Sequence, residues 1–368
     1  MTPSTRGGHL GQLHMGINMG HDRSVAVVEN GEIVIAIEQE RIDRIKHSVG
    51  FMLQAPHDME LVQVPGESIA YCLDHFDIPL SALATITANM PGEDLAPQIM
   101  RGKFSAELAD HLRTVPSHHL AHAYSAFWPS GFDEALVLVV DASGSISENR
   151  EGRRTESYTL YEGRGSVLKE LHSERVKSHL AALSTIGFVY ETVSRRAGFV
   201  TNLKSGLSFP ESGKLMGLAA YGGPQDNWQN WMTSEKGSFE IKMSAYDIFL
   251  EMAALEKRYD DGQGKPYFRP WLVDLAYKVQ AELEQILSDL VSEACQQTRL
   301  NKLCIAGGVG LNSVANYKIL QNCGLEDVFT FPAAADNGIA AGCALWAYHT
   351  QEGGRERPAL GSVCFGRS

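Results

Sequence analysis

The stretch VPSHHLAHAYSAFWPSGFDEALVLVVD, from Val115 to Asp141, packs three histidines into five positions and closes on an apolar run that ends in a carboxylate. His118 and His122 are four residues apart, so on a helix they share one face, with Cβ atoms about 5–6 Å apart. That spacing suits two imidazoles on a single metal ion, while His119 points elsewhere. Ala135–Val140 reads as a buried strand. Asp141 at its carboxyl end falls where open α/β sheets place ligand-binding groups. The competing reading is a polar helix start beside a core strand, its histidines satisfied by ordinary hydrogen bonds.

Upstream, LHMGINMGHDRSVAVVENGEIVIAIEQER (Leu13 to Arg41) shows a related layout. A strand runs to about Asn18, a polar turn covers Gly20 to Ser24, and two further strands, to Val28 and from Glu32 to Glu38, flank Asn30-Gly31. Asn-Gly between apolar runs is a strong hairpin signal. Downstream of Asp141 the pattern restarts: a small-residue turn to Ser145, then Ser157–Glu162 and Ser166–Leu171 as a hairpin around Gly163-Arg164-Gly165. Strand, turn and hairpin thus occur twice. ATP-binding folds of the actin and Hsp70 kind use this layout, and their first hairpin turn cradles phosphates with backbone N–H groups. The remaining periodicity predicts helices over Gly66–Phe76, Phe104–Leu112 and Trp271–Cys295 and strands over Leu83–Ala88 and Lys302–Ala306. From Ser178 to Phe268 helices and glycine turns alternate irregularly, the place for an acceptor pocket.

The bulk properties exclude several classes. With 368 residues the chain fits two subdomains, and 44% hydrophobic with 21% charged residues is the balance of a globular protein. A formal net charge of −12 argues against a nucleic-acid partner. No apolar run reaches the roughly 18 residues of a membrane span and no signal-peptide pattern opens the chain, so no membrane role is expected. Six cysteines without a CxxC pair read as free thiols of a reducing compartment, with the cytoplasm as the expected location.

Several motifs are chemically suggestive, each beside a plainer reading. Gly307-Gly308-Val309-Gly310-Leu311-Asn312 joins a strand to a helix, and is either a site for an anion or nucleotide at free N–H groups or a tight turn. Asp336-Asn337-Gly338 precedes a small-residue helix, so Asp336 is a helix cap or a metal ligand. Lys214, in Glu211-Ser212-Gly213-Lys214, reaches a phosphate or is a surface lysine. The basic run Arg41, Arg44, Lys46, His47 is a solvated surface or a phosphate-facing edge. His21 is a turn residue or a general base. Together, His118, His122, Asp141 and Asp336 form an N2O2 set that suits Fe(II), Mn(II) or Zn(II).

Five segments carry a family resemblance: GHDRSVAVVENGEIVIAIEQER, HHLAHAYSAFWPSGF, ESGKLMGLAAYG, GGVGLNSVANYKI and DNGIAAG. With these the chain resembles the nodulation- and antibiotic-type O-carbamoyltransferases. Its N-terminal part is similar to the tRNA threonylcarbamoyl-transfer protein of the ASKHA superfold. The resemblance implies an α/β, ASKHA (actin/Hsp70/hexokinase-like) pair of ribonuclease-H-like subdomains with a helical insertion. Residues 1–12 would be a loose tail, 13–132 subdomain I, and 133–360 subdomain II with the insertion at about 178–268. It further implies iron on His118, His122, Asp141 and Asp336, carbamoyl-adenylate (made from ATP) across the cleft, and His21 as the base that deprotonates an acceptor hydroxyl. Lys46 and His47 match a basic-His pair of the family's first domain, and Gly213, Lys214, Gly307, Gly308 and Asn312 match its nucleotide-facing loops.

The activity implied is metal-assisted carbamoyl transfer to a hydroxyl of a small metabolite, in natural-product or antibiotic tailoring. The alternative is a non-catalytic or partner-dependent nucleotide-binding subunit. A small-molecule kinase of the same superfold would need a catalytic aspartate at a sugar site, and none is assignable. Two departures stand out. Asp141-Ala142 replaces the family's Asp-Gly, where a Cβ narrows the approach to a phosphate. Residues 361–368 stand where a linker to a C-terminal adenylate-forming domain would begin, so three readings are open: a piece of a longer protein, a chain served by a separate adenylate-forming protein as partner, or a member that has lost or changed the reaction.

Overall fold

The computed structural model describes residues 11–366 apart from 50–63, 92–94, 151, 178–184, 204–207, 236–237, 244, 261 and 263–264. Strand β1 (Leu13–Asn18) sends Leu13, Met15 and Ile17 to one face of a sheet and Gly16 to the other, the two-residue period of extended chain. It pairs antiparallel with β2 (Ser24–Glu29), and β2 with β3 (Glu32–Glu38). The hairpin turn between them is Asn30-Gly31, with φ of 51° and 79°, the left-handed geometry such a turn requires. The other edge of β1 runs parallel to β4 (Thr85–Asn89), and β4 parallel to β5 (Leu112–Thr114). The order is β3-β2-β1-β4-β5.

A second sheet repeats that order. In it β6 (Glu134–Val140) takes the place of β1. The short β7 (Ile146–Asn149) and then β6 pair antiparallel along β8 (Gly152–Arg164), which pairs with β9 (Val167–Lys177). The chain then passes through two small hairpins, β10 (Val200–Asn202) with β11 (Ser208–Pro210) and β12 (Met232–Glu235) with β13 (Ser238–Ile241), and several helices. It returns as β14 (Lys302–Ala306), parallel to β6, and β15 (Asp327–Thr330), parallel to β14. Two ribonuclease-H-like sheets of the ASKHA type result.

Each sheet is covered on both faces. Ala135, Val137 and Val139 of β6 join one core, and Leu136, Leu138 and Val140 another, so the strand is apolar throughout. Helices Gly66–Phe76, Ala96–Lys103 and Ala106–His111 cover the outside of the first sheet. The outside of the second is covered by Ile186–Arg196, Ser212–Ala219, Ala245–Tyr259, Pro270–Thr298 and Ser313–Asn322. Between the sheets lie two helices, His118–Phe127 against β6 and β14, and Ile339–Glu352 against β1, β2 and β4. Each therefore packs on the other half's sheet. Small residues allow this: a Cβ on Gly342 would lie 1.9 Å from the Ala121 carbonyl oxygen.

Some elements differ from the sequence expectation. Phe104–Leu112 is not one helix: Ser105 accepts a hydrogen bond from Leu108 N and starts a fresh helix at Ala106, and Leu112 is already in β5. The insertion holds the hairpins β10–β11 and β12–β13 as well as helices. The long helix extends over Pro270–Thr298. The expected loose tail lies outside the described residues except for Gly11 and Gln12. No described helix is long and apolar enough to cross a membrane, and all six cysteines are free thiols.

Candidate metal centre

Ser117 builds the histidine helix. Its Oγ accepts from Leu120 N, capping the first turn, and donates to Glu156. His118 and His122 are fully buried and face the end of β6 and the short turn Asp336–Gly338. His118 Nε2 lies 3.5 Å from Asp141 Oδ2 and 3.4 Å from Asp336 Oδ1. For His122 Nε2 the corresponding distances are 3.3 and 3.5 Å. Two ligand atoms each about 2.0–2.2 Å from one ion stand about 3–3.5 Å apart at the angles metals adopt.

The polar atoms at the centre lack ordinary partners. His118 Nε2, both ring nitrogens of His122 and Asp336 Oδ2 are buried without a hydrogen bond among the described residues. Buried polar groups in proteins are mostly paired, and what separates these atoms from other unpaired ones here, such as His119 Nε2, is that they belong to four residues whose ligand atoms converge on one point. His118 Nδ1 stands 2.8 Å from Asn89 Oδ1, so it donates there and leaves the Nε2 lone pair facing the carboxylates. The donor set therefore fits a divalent ion, and Asp336 does not cap its helix with its side chain. Without a cation the ionised carboxylates are balanced by protons on the neighbouring imidazoles. Burial alone would lower His118, but Asp336 and Asp141 raise it to about 10. Both aspartates are held well below the ordinary carboxylate range, burial being outweighed by the histidines.

His21 adjoins this cluster. Its Nε2 is 3.3 Å from Asp336 Oδ2, and its Nδ1 is 2.7 Å from Asp22 Oδ2. Desolvation pulls His21 down, but Asp336, Asp22 and Asp141 raise it to about 10. The turn is fixed from below by Asn18, whose Nδ2 donates to the carbonyls of His21, Asp22 and Asp336 at 2.8, 3.1 and 2.9 Å.

The residues expected to face a nucleotide are placed as follows. Lys46 Nζ lies 2.6 Å from Glu211 Oε1 and 3.0 Å from Thr201 Oγ1, and Lys214 contacts the other oxygen of Glu211. Hydrogen bonds from Lys214, Lys46 and Thr201 pull Glu211 down to about 2. Both lysines are thus engaged by one carboxylate, Lys46 across the cleft and Lys214 from the first turn of the helix that Glu211 precedes. His47 hydrogen-bonds Asp22 and stacks on Phe209 at 4.8 Å. Gly213 sits in the first turn of its helix with open space around it. Gly307, at φ 87°, packs where a Cβ would meet Val140 O at 2.2 Å, and a Cβ on Gly308 would stand 3.1 Å from Asp141 Oδ1. The glycine turn therefore abuts the four-residue cluster. Asn312 caps the following helix through Ala315 N and spends its amide on Gln280. Ala142 is accommodated by Gly187, where a Cβ would lie 2.7 Å from Ala142 Cα.

Sequence reasoning missed Asn18, Asp22, Asn89 and Glu191. Asn18 and Asn89 end parallel strands on the cleft side, as Asp141 nearly does, and that rule could have found them. Glu191, on the Ile186–Arg196 helix, is pushed up to about 7 by burial, with Arg195 and His21 opposing and Asp141 assisting. No local signal marked it.

Comparison with known proteins follows the same lines. The family model for the carbamoyltransferase N-terminus matches residues 83–345, and the chain belongs to that family. It is 29% identical to the Synechocystis sp. protein sll1178, over 89% of this chain and 55% of that one. It is 27% identical to nodulation protein NolNO of Sinorhizobium fredii, over 97% of this chain and 51% of the relative. The chain thus spans about half the length of these relatives. It is also 21% identical to the tRNA N6-adenosine threonylcarbamoyltransferase of Staphylococcus haemolyticus, over 89% and 88% of the two chains. Among solved structures, component A of (R)-2-hydroxyglutaryl-CoA dehydratase from Acidaminococcus fermentans aligns over 93% of this chain and 100% of its own, with a TM-score of 0.51 and 15% identity, which establishes likeness of fold. Carbamoyl transfer is the activity class of the family.

Proposed function

We propose that the chain transfers a carbamoyl group from carbamoyl-adenylate to a hydroxyl of a small metabolite, as in natural-product tailoring. The observation that carries this reading is His21 Nε2 standing in the cleft beside the four-group cluster, 3.3 Å from Asp336. His118, His122, Asp141 and Asp336 would hold Fe(II), Mn(II) or Zn(II), which supplies positive charge for a phosphate or carbonyl oxygen. The acceptor oxygen attacks the carbamoyl carbon and its proton goes to His21 Nε2, which would be free to take it once a cation in the cluster offsets Asp336 and Asp141, two of the carboxylates that otherwise keep this ring protonated. A new C–O bond forms, the mixed-anhydride C–O bond breaks, and AMP leaves with the electron pair. The N–H groups of Gly308 and Val309 would face the developing charge, those of Gly307 and Gly310 being given to the carbonyls of Ala334 and Gly307. Lys46 or Lys214 would leave Glu211 for the adenylate phosphate.

The test is metal analysis followed by incubation with carbamoyl phosphate, ATP and polyol or aminoglycoside acceptors, with and without an added adenylate-forming protein. One ion per chain, with product only when that protein or ready-made carbamoyl-adenylate is supplied, is the expected result. His21→Ala should lower turnover about 100- to 10,000-fold and leave bound metal unchanged. Because the chain spans about half of its relatives, a second reading stands: a partner-dependent nucleotide-binding subunit, which would bind AMP yet give no product even with carbamoyl-adenylate.

A further inference from the structure

We infer that Asp22 is the positioning residue of the transfer site, a single carboxylate that fixes the orientation and tautomer of two histidines, His21 and His47. This rests on the carbamoyl-transfer reading and adds to it the groups that aim its base. The two oxygens of Asp22 are divided between the two rings: Oδ2 is 2.7 Å from His21 Nδ1, and Oδ1 is 2.9 Å from His47 Nδ1. An ionised carboxylate only accepts, so each facing nitrogen carries the proton. His21 is thereby left with Nε2 directed into the cleft, beside Asp336. An aspartate serving only its turn would bond backbone N–H groups nearby. Asp22 gives both oxygens to imidazoles, one of them 25 residues away.

The backbone is committed to this arrangement. Asp22 has φ 50°, and its N–H donates to the His47 carbonyl at 2.6 Å. Arg44, His47 and Ser48 have φ of 60°, 62° and 29°, three left-handed non-glycine residues in five positions. Such conformations cost free energy and persist only where the surroundings impose them. Here the imposing group is Arg23, 3% exposed, whose guanidinium donates to Ser48 O, Ser48 Oγ and Val64 O. What this loop delivers is His47 Nδ1, which occupies the second oxygen of Asp22 and stops the carboxylate turning away from His21. Phe209 closes the opposite face of the His47 ring at 4.8 Å, nearly parallel at 24°.

The experiment uses the Zn(II)-loaded protein with 15N-labelled histidine, the His21 and His47 signals being assigned by their loss in His21→Gln and His47→Gln. Both rings should carry a slowly exchanging proton on Nδ1, and Asp22→Asn, which offers one acceptor oxygen instead of two, should strip it from at least one ring. An unprotonated Nδ1 on His21 in the wild-type protein overturns the proposal without any variant. In kinetics with supplied carbamoyl-adenylate and a polyol acceptor, Asp22→Asn should lower kcat about 100-fold, with the KM for carbamoyl-adenylate within about twofold. His47→Asn should lower kcat about tenfold. A kcat for Asp22→Asn within about threefold of wild type, or loss of bound metal in that variant, overturns the proposal. A wild-type protein that gives no product sinks the carbamoyl-transfer reading instead, and the ring-nitrogen signals still decide the part played by Asp22.

Discussion

Two faces of one helix carry buried histidines beside buried carboxylates, and they are finished differently. On one face His119 places Nδ1 2.8 Å from Thr159 Oγ1, and burial lowers it to about 4, so it is neutral. The neighbouring Glu156, 1% exposed, accepts from Ser117 Oγ, Ser145 N and Arg175. On the other face His118, His122, Asp141 and Asp336 converge with their central atoms unpaired. Sequence distance between the faces is one residue. A caged carboxylate is a structural part, whereas converging groups left without partners are a place for something the chain does not itself provide.

The contrast can be broken experimentally, beginning with its strongest consequence. Asp336→Ala should abolish stoichiometric metal binding, and with it the stabilisation by metal, about 2.7 kcal/mol at a hundredfold excess over Kd. Unfolding with and without chelator measures this, and a chelator-sensitive midpoint in the variant would remove Asp336 from the site. Glu156→Ala should leave metal content at the wild-type level but cost about 3 kcal/mol in urea unfolding, because several donors lose their acceptor. Metal lost along with Glu156 would mean that the two faces are not separable. Glu191 tests the middle ground, a cleft carboxylate neither caged nor in the quartet. Its folded value of about 7 lies above its ordinary 4.5, so its contribution to stability is greatest below about pH 4.5 and declines as pH rises to about 7. Glu191→Gln should flatten that part of the pH–stability curve by about 1–2 kcal/mol. An unchanged curve would show that Glu191 is well solvated.

The convergence of the four cluster residues was legible because each carried a positional clue: helical spacing for His118 and His122, a strand end for Asp141, a turn before a helix for Asp336. The doubled sheet was legible too, since strand, turn and hairpin recur near residues 13 and 135. What escaped reading depends on pairs distant in sequence. Nothing local says that Asn89 will meet His118, that Glu211 will engage Lys46 across the cleft, or that Asp22 will hold His47. The split of Phe104–Leu112 is similar, because the strand character of Leu112–Thr114 comes from pairing with β4. Hairpins with strands of three and four residues in the insertion are too short for periodicity to register.

The exchange of helices between halves bears on how the chain is made. The inner face of β1, the first described strand in chain order, is covered by Ile339–Glu352, the last described helix. Until that helix is made the first sheet has an apolar face with no cover, and Asp336 has not joined the histidines. Vectorial synthesis thus leaves the N-terminal half waiting for the C-terminal helix, a long-range dependence of the kind that slows folding and exposes intermediates to aggregation. The four-residue cluster is correspondingly completed late, so an ion that it took up would report that the whole cleft had been assembled.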